Sequence, residues 1–366
     1  MNSAHTLRLG VLGCGMIGHA FLRQARVLPG LDVAAVCSPS AASRESALRL
    51  WPNARAYADR AALLEDPHVD AVLVCTPHAR HAEDAVAALT AGKHVLIEKP
   101  IATSVMELDE LETAAAAHPD HVVLALPLVD QTALAALADL VRTSIIGRPM
   151  EFISLVDVPG PPRSNWYYSR AAVAGPSLDT LPYALARLLA VTGTTLAAAT
   201  VSVTQAIQRR RCLDGGTLTQ QVEDQITMQL AFPTGQQALV KSSWCLSRPE
   251  DYLIVRGRLG DIRLDCWRNS ILVRSAQPPQ HPHQVVTWDD AQAYRIDLPK
   301  GDPEHAKLAA FMAAVDQQTS TLPTAAFGMR LILTALTVGT GGVAPPPAAR
   351  CDATTLLDLD IGQECQ

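Results

Sequence analysis

Through the first third of the chain, short apolar runs alternate with Ala-rich stretches of amphipathic spacing. Residues 7–12, 33–37, 71–75, 94–98 and 122–126 are of strand length and nearly continuous in apolar residues, the pattern of strands covered on both faces. Between them, residues 17–28, 43–51, 81–91 and 104–117 have helical length and spacing. Gly92 stands where a left-handed C-cap would close the third of these helices. Five strands joined by crossover helices predict a doubly wound parallel sheet, placed at residues 1–127.

Beyond residue 127 the texture changes, so residues 128–366 are expected to form a second, α+β domain. A helix over 131–143 leads into segments that alternate with a period of two. Ile226, Met228, Leu230 and Phe232 face one way, and Gln225, Thr227 and Gln229 the other. Pro233-Thr234-Gly235 then turns the chain into a strand over 238–244. Further strands are predicted over 252–256, 261–267 and 271–274, with helices over 305–315 and 327–338 closing the sheet. Such half-polar strands make a large, mostly antiparallel open sheet with helices on one face. Its uncovered face predicts a homodimer or homotetramer. Residues 185–203 come nearest to a membrane span, but Arg187, several threonines and Gly193 point to a buried helix followed by a strand, with no membrane partner.

Composition narrows the function. With 366 residues, 48% hydrophobic and 18% charged, the chain is too apolar for a disordered protein. The net charge of −6 argues against a nucleic-acid partner, and Arg209-Arg210-Arg211 reads as a solvated strand end. The eight cysteines lack zinc-type spacing and read as reduced, packed thiols; no metal site is expected. The N-terminus carries no signal-peptide pattern, so a cytoplasmic protein is expected.

Gly13-Cys14-Gly15-Met16-Ile17-Gly18 is a G-x-G-x-x-G between a predicted strand and a predicted helix. In that setting Gly13 permits the tight turn, Gly15 lets a diphosphate approach the backbone, and Gly18 lets the helix pack closely. Met16 and Ile17 then begin a helix whose N-terminus would hold a dinucleotide. The second strand ends Cys37-Ser38-Pro39, with Ser38 where an NAD-binding carboxylate would stand. A serine does not repel a 2′-phosphate, and Arg44, with Arg23 or Arg26 as substitutes, could neutralise one. NADP is therefore favoured over NAD.

A second motif runs Cys75-Thr76-Pro77-His78, through His81, to Glu98-Lys99-Pro100. With the glycine loop, this stretch resembles the glucose–fructose oxidoreductase, inositol dehydrogenase and rhizopine catabolism (Gfo/Idh/MocA) family of NAD(P)-dependent oxidoreductases, whose signature is E-K-P after the fifth strand. The resemblance is specific over residues 7–104 and looser after 150, where it includes Ile146-Gly147-Arg148-Pro149 and the helix near Phe311. It implies a Rossmann nucleotide domain. It also implies that Cys75, Thr76, Pro77, His78, His81, Glu98, Lys99 and Pro100 line the cofactor. From spacing alone Lys99 reads more readily as a surface lysine before a turn proline; the resemblance implies that it handles the proton of a reacting carbonyl or hydroxyl.

The family's D-x-G-x-H-x-x-D motif is matched here by Asp179 to Ala186, with Tyr183 at the histidine position and Ala186 at the last carboxylate. Tyrosine there resembles the branch containing glucose–fructose oxidoreductase, dihydrodiol dehydrogenases and some xylose dehydrogenases. The resemblance implies catalytic roles for Lys99, Tyr183 and Asp179. A nearby ammonium favours the phenolate, which makes a phenol a usable acid or base. The alternative is a tyrosine that only fills a helix face. Trp166, Tyr167 and Arg170, with Asn165 and Tyr168, are candidate substrate contacts. Ala186 and the run Pro127-Leu128-Val129-Asp130 carry fewer polar groups than sugar-handling relatives.

The expected activity is hydride transfer between a nicotinamide and a CH–OH or C=O carbon of a sugar or other cyclic alcohol. One alternative is a less polar substrate: a dihydrodiol, or a secondary-metabolite ketone or imine. Another is a sensor that binds the cofactor without turnover.

Overall fold

The computed structural model describes residues 6–125, 131–160, 175–192, 200–206, 210–211, 217–218, 222–245, 248–275, 284–288, 291–299 and 301–338. The chain forms two compact units: residues 1–128 with 301–330, and 129–300 with 331–366.

In the first unit, β1 (Leu7–Leu12), β2 (Leu31–Cys37), β3 (Arg55–Tyr57), β4 (Ala71–Val74), β5 (His94–Ile97) and β6 (Val123–Leu124) form a parallel sheet in the order β3-β2-β1-β4-β5-β6. Succession runs outward one way from β1 and then the other way from β4. The carboxyl ends of β1 and β4 therefore bound the switch point, where such sheets bind ligands. Helices α1 (Met16–Ala25), α2 (Ala41–Leu50), α3 (Arg60–Leu64), α4 (His81–Thr90) and α5 (Val105–Ala117) connect the strands. All four residues of β4 are buried, as coverage on both faces requires. Ser104 starts α5 by accepting from the Glu107 N–H at 3.2 Å, while the Glu107 carboxylate reaches back to the Thr103 N–H at 2.7 Å. The sheet has one strand more than the five predicted. Three residues are too few for β3 to show a period, and α3 begins only because the Asp59 carboxylate accepts from Ala61 and Ala62.

The second unit contains α6 (Gln131–Arg142), β7 (Pro149–Asp157), α7 (Pro176–Asp179), α8 (Leu181–Thr192) and β8 (Thr200–Ala206). The short pair β9 (Arg210–Arg211) and β10 (Thr217–Leu218) follows, then β11 (Gln225–Ala231), β12 (Gln237–Ser243), β13 (Glu250–Gly257), β14 (Gly260–Asp265), β15 (Ser270–Ser275), β16 (Gln284–Trp288) and β17 (Ala291–Asp297). Nine of these strands make one sheet, ordered β16-β17-β15-β14-β13-β7-β12-β11-β8. Only β7 and β12 pair in parallel, because the first strand of the unit lies in the middle of the sheet.

Register explains the period-two pattern. Met228, Val240, Ser154, Leu253, Leu264 and Ile271 form one buried row across six strands, and the Ser154 hydroxyl donates to the Ala184 carbonyl of α8 at 2.7 Å. Their neighbours Leu239, Ile153, Ile254, Arg263 and Leu272 form a half-buried row on the opposite face. Arg187 of α8 is buried and ion-paired with Asp251 of β13, which accounts for a charge inside so apolar a helix. No described helix is long and apolar enough to cross a membrane.

The chain then returns to the first unit through α9 (Pro303–Gln317) and enters α10 (Leu322–Val338). Here the structure departs from expectation, since the helix predicted over 305–315 does not close the second sheet. Leu308, Phe311 and Ala314 of α9 join one core cluster with Phe21, Leu22 and Ala25 of α1. Asp302 caps α9 through the His305 N–H at 3.0 Å and also accepts from Gln24 of α1 at 2.8 Å. Next in the chain, Ser320 donates to the Val123 carbonyl at 2.6 Å and Thr321 accepts from the Ala125 N–H at 3.1 Å, which binds the edge strand β6. An apolar stripe fits either sheet equally well; these polar contacts select the first.

Phe311 is fully buried in that cluster. Its replacement by Ala is expected to destabilise the first unit by about 3–5 kcal/mol. A lowered midpoint in urea unfolding checks this; a midpoint equal to wild type would show that α9 contributes nothing to that core.

A candidate nucleotide and proton-transfer site

The glycine loop leaves β1 with Gly13 at a φ of +99°, its N–H donating to the Cys37 carbonyl at 2.9 Å. A side chain on Gly13 would meet the Cys75 backbone, and one on Gly18 would run into the Gly13 carbonyl. Gly15 differs: nothing lies within 4 Å of where its side chain would be. Gly15 is also the N-cap of α1, without a side-chain cap or an acidic residue in the first turn, and Met16 beside it is 81% exposed. The loop is thus packed tightly against its own sheet and open at the helix N-terminus, a cradle that fits a diphosphate. Cys14 and Cys37 lie beneath it, and burial pushes both thiols up to about 11, so they act as inert filling at neutral pH.

At the end of β2, Ser38 is joined to α2 by Arg44, whose guanidinium donates to the Ser38 carbonyl at 2.6 Å and the Pro39 carbonyl at 3.0 Å. The structure brings these two residues together as expected. It does not do so for Arg23 or Arg26, which lie in the last turn and at the C-cap of α1. At 1.5 Å per residue they are roughly 10–15 Å along the helix from the glycine loop, too far to substitute for Arg44.

His81 lies between the loops after β4 and β5. Its Nδ1 lies 2.8 Å from the Pro100 carbonyl and its Nε2 2.6 Å from the Thr76 carbonyl, and burial pushes its pKa down. A neutral His81 has one N–H and so donates to one of these two carbonyls while its ring fills the space between the two loops, and His78 is buried with its ring 5.7 Å from that of His81. The Thr76 hydroxyl donates to Asp84 at 2.7 Å, and this buried carboxylate also accepts from Arg60 at 2.6 Å and Arg80 at 3.2 Å. Thr76 and Pro77 thus present backbone at the switch point, the Thr76 side chain being held by α4. Burial also pushes the Cys75 thiol well up.

Glu98 is buried as well, and its carboxylate is paired with the buried ammonium of Lys307 on α9. It also accepts from the Lys99 N–H at 3.3 Å. Burial by itself would raise this carboxyl, but Lys307, then Lys99 and His81, hold it below its ordinary value. Its contacts are thus internal, and what it carries to the site is the half-buried Lys99 and the cis Lys99–Pro100 peptide that follows. Lys307, Asp84 and Arg80 had no assigned role in the sequence. A signal existed for Lys307, which interrupts the apolar stripe of Phe311 and Ala314 and must therefore find a buried acid.

In the second unit, Gly175 has a φ of +109° and a side chain there would collide with the Glu223 carboxylate. Glu223 accepts from the Ser177 N–H at 3.2 Å and, being buried, is pushed above its ordinary value. Asp179 closes the single turn of α7, its N–H donating to the Gly175 carbonyl at 2.9 Å. Leu181, Ala184, Leu185 and Leu188 bury one side of α8; Tyr183 and Ala186 lie half-buried on the other. Tyr183 is therefore not one of the residues that fill the core side of α8. Asn165, Trp166, Tyr167, Tyr168, Arg170 and residues 126–130 lie outside the described residues.

Residues 7–125 match the model of the GFO_IDH_MocA oxidoreductase family, NAD-binding Rossmann fold, and residues 134–263 match the GFO/IDH/MocA C-terminal domain. Inositol 2-dehydrogenase of Paracoccus denitrificans (strain Pd 1222) is 43% identical over 101 residues, 27% of this chain and 30% of that protein. The chain thus matches about 30% of the length of the curated inositol dehydrogenases. A dTDP-3,4-didehydro-2,6-dideoxy-alpha-D-glucose 3-reductase of Streptomyces violaceoruber is 27% identical over 322 residues, covering 86% of this chain and 88% of the reductase. Among solved structures, levoglucosan dehydrogenase in complex with NADH and levoglucosan superposes with a TM-score of 0.79 at 20% identity, covering 93% of this chain and 99% of that one. A 3-ketoreductase from Actinomadura kijaniata in complex with NADP and TDP-benzene reaches 0.72 at 21% identity, covering 91% and 98%.

The open space at Gly15 and the close contact at Gly18 lead to opposite outcomes for the same substitution. Gly15→Ala is expected to fold normally and weaken NADPH binding at least tenfold, whereas Gly18→Ala lowers the melting temperature. Calorimetric titration and thermal unfolding of the two variants separate these effects; equal NADPH affinity in wild type and Gly15→Ala would show that no diphosphate lies there.

Proposed function

Because the chain belongs to the GFO/IDH/MocA family of oxidoreductases, we propose that it is an NADP-dependent enzyme moving hydride between the nicotinamide and a CH–OH or C=O carbon of a sugar-like ring. The observation that carries this reading is Lys99 emerging from the carboxyl end of β5, among the loops that surround the open cradle at Gly15. NADP, when bound, supplies or accepts the hydride. The N–H groups at the start of α1 hold its diphosphate, and Ser38 with Arg44 receives the 2′-phosphate, where an acidic residue would repel it.

Lys99 donates a hydrogen bond to the reacting oxygen and holds its proton. Tyr183, on the half-exposed side of α8, is the second proton-transfer group, and Asp179 one turn earlier orients the site. Ala186 beside Tyr183 removes a carboxylate that would bind ring hydroxyls, since a polar group left unpaired in a closed site is costly. A ring with few free hydroxyls suits this site, and one relative that covers 86% of the chain is named for a dideoxy ketosugar. The same alanine favours a second reading, a less polar substrate such as a dihydrodiol or a cyclic ketone.

Two measurements test the proposal. With NADPH and a panel of cyclic ketones and ketosugars, Lys99→Met and Tyr183→Phe are each expected to lower kcat by about 10²–10⁴-fold with NADPH affinity unchanged. Undiminished turnover in either variant removes that residue from the mechanism, and NADPH binding without turnover across the panel would indicate a sensor. For the cofactor, wild type is expected to bind NADPH at least tenfold more tightly than NADH, and Arg44→Ala to erase most of that difference. Tighter NADH binding by wild type would reverse the assignment of Ser38 and Arg44.

A further inference from the structure

The chain has five lysines, at 93, 99, 241, 300 and 307, within a total of 30 Lys and Arg. Arginine thus supplies most of its positive charge, and a lysine buried as deeply as Lys307 calls for an explanation. Its ammonium pairs with Glu98 and lies 5.5 Å from the centre of the Phe21 ring. Both partners are less than a tenth exposed, so this is a desolvated pair with little help from water. The position of Glu98 next to Lys99 gives the pair its significance.

We propose that Lys307 is a positioning residue for Lys99: by pairing with the Glu98 carboxylate it fixes the backbone from which Lys99 emerges and offsets the negative charge that Glu98 presents to the Lys99 ammonium. The proposal rests on the reading of Lys99 as the proton-handling group. Glu98 accepts from the Lys99 N–H with one oxygen and meets Lys307 with the other, so the carboxylate is held from both sides. His81, bound to the Pro100 carbonyl, holds the residue that follows Lys99. Glu98 and Pro100, on either side of Lys99, are thereby held by side chains from α9 and α4, and the Lys99 N–H by Glu98 itself.

The electrostatic consequence follows from charge balance. An unpaired carboxylate adjacent in sequence would attract the Lys99 ammonium and make its proton harder to release. Lys307 cancels most of that field. The other titratable groups facing the pair are Cys75 after β4, His81 from α4 and Glu304 from α9, with Cys14 of the glycine loop acting on Cys75. Burial opposes charge on Cys75, Cys14, His81 and Glu304 alike, leaving Lys307 as the principal counter-charge to Glu98 besides Lys99 itself.

The test uses full-length protein with its lysines reductively dimethylated with ¹³C, which keeps their charge, and follows each resonance by NMR through a pH titration. Lys99 is assigned by the signal missing from Lys99→Met. In Lys307→Met the Lys99 midpoint is expected to rise by about one pH unit, and in Glu98→Gln to fall by about one unit. In the double variant Glu98→Gln/Lys307→Met it returns towards wild type, because both charges are gone. One midpoint shared by all four proteins, or a double variant that keeps the shift of Lys307→Met, would overturn the proposal; a purely structural ion pair lowers stability without this pattern. Should Lys307→Met fail to fold, the downward shift in Glu98→Gln decides the matter. The titration needs no substrate, so an absence of turnover in wild type counts against the oxidoreductase reading and leaves the coupling of Lys307 to Lys99 standing on its own measurement.

Discussion

The buried pair of Glu98 and Lys307 joins the end of β5 to a helix more than 200 residues later in the chain. Neither charge tolerates burial alone, and removing one partner of such a pair typically costs about 3–5 kcal/mol. The helix must therefore dock where Glu98 is, and the loop carrying Lys99 must end where Lys307 can reach. The apolar stripe of α9 supplies attraction without direction; the ion pair supplies the direction.

Around that junction, most polar side chains of the first unit's loops are taken up by internal contacts. Gly13 and Gly18 are small because backbone occupies the space beside them, while Gly15 is small beside open space. Thr76, His81, Asp84 and Glu98 spend their polar atoms on one another, on arginines, on Lys307 or on carbonyls. The open space beside Gly15, at the start of α1, stands outside that network. Rigid loops at a switch point allow such a site to be formed before anything binds.

The second unit solves a different problem, since one face of its large sheet carries an apolar row that must be covered. Placing β7 in the middle allows α8 to cross the neighbouring strands β12 and β13, with Ser154, Thr180 and Ser242 satisfying polar atoms beneath it. One side of α8 is thereby consumed by the core. Tyr183 and Ala186 lie half-buried on its other side.

Most of the architecture was legible in the sequence because it is written in local periodicity: the parallel strands, the helices between them, the glycine loop and the alternating strands of the second sheet. Ser38 was singled out by its place at the end of the second strand, whereas Lys99 and Tyr183 were singled out by resemblance to a family's motifs. Local pattern could not report where α9 docks, that Arg44 and not Arg23 or Arg26 meets Ser38, that His81 lies between two loops, or that Glu98 needs Lys307. Each of these depends on residues distant in sequence or on which end of a helix faces a loop. Charges excluded from water find their partners only when the chain has folded, so tertiary structure alone could decide them.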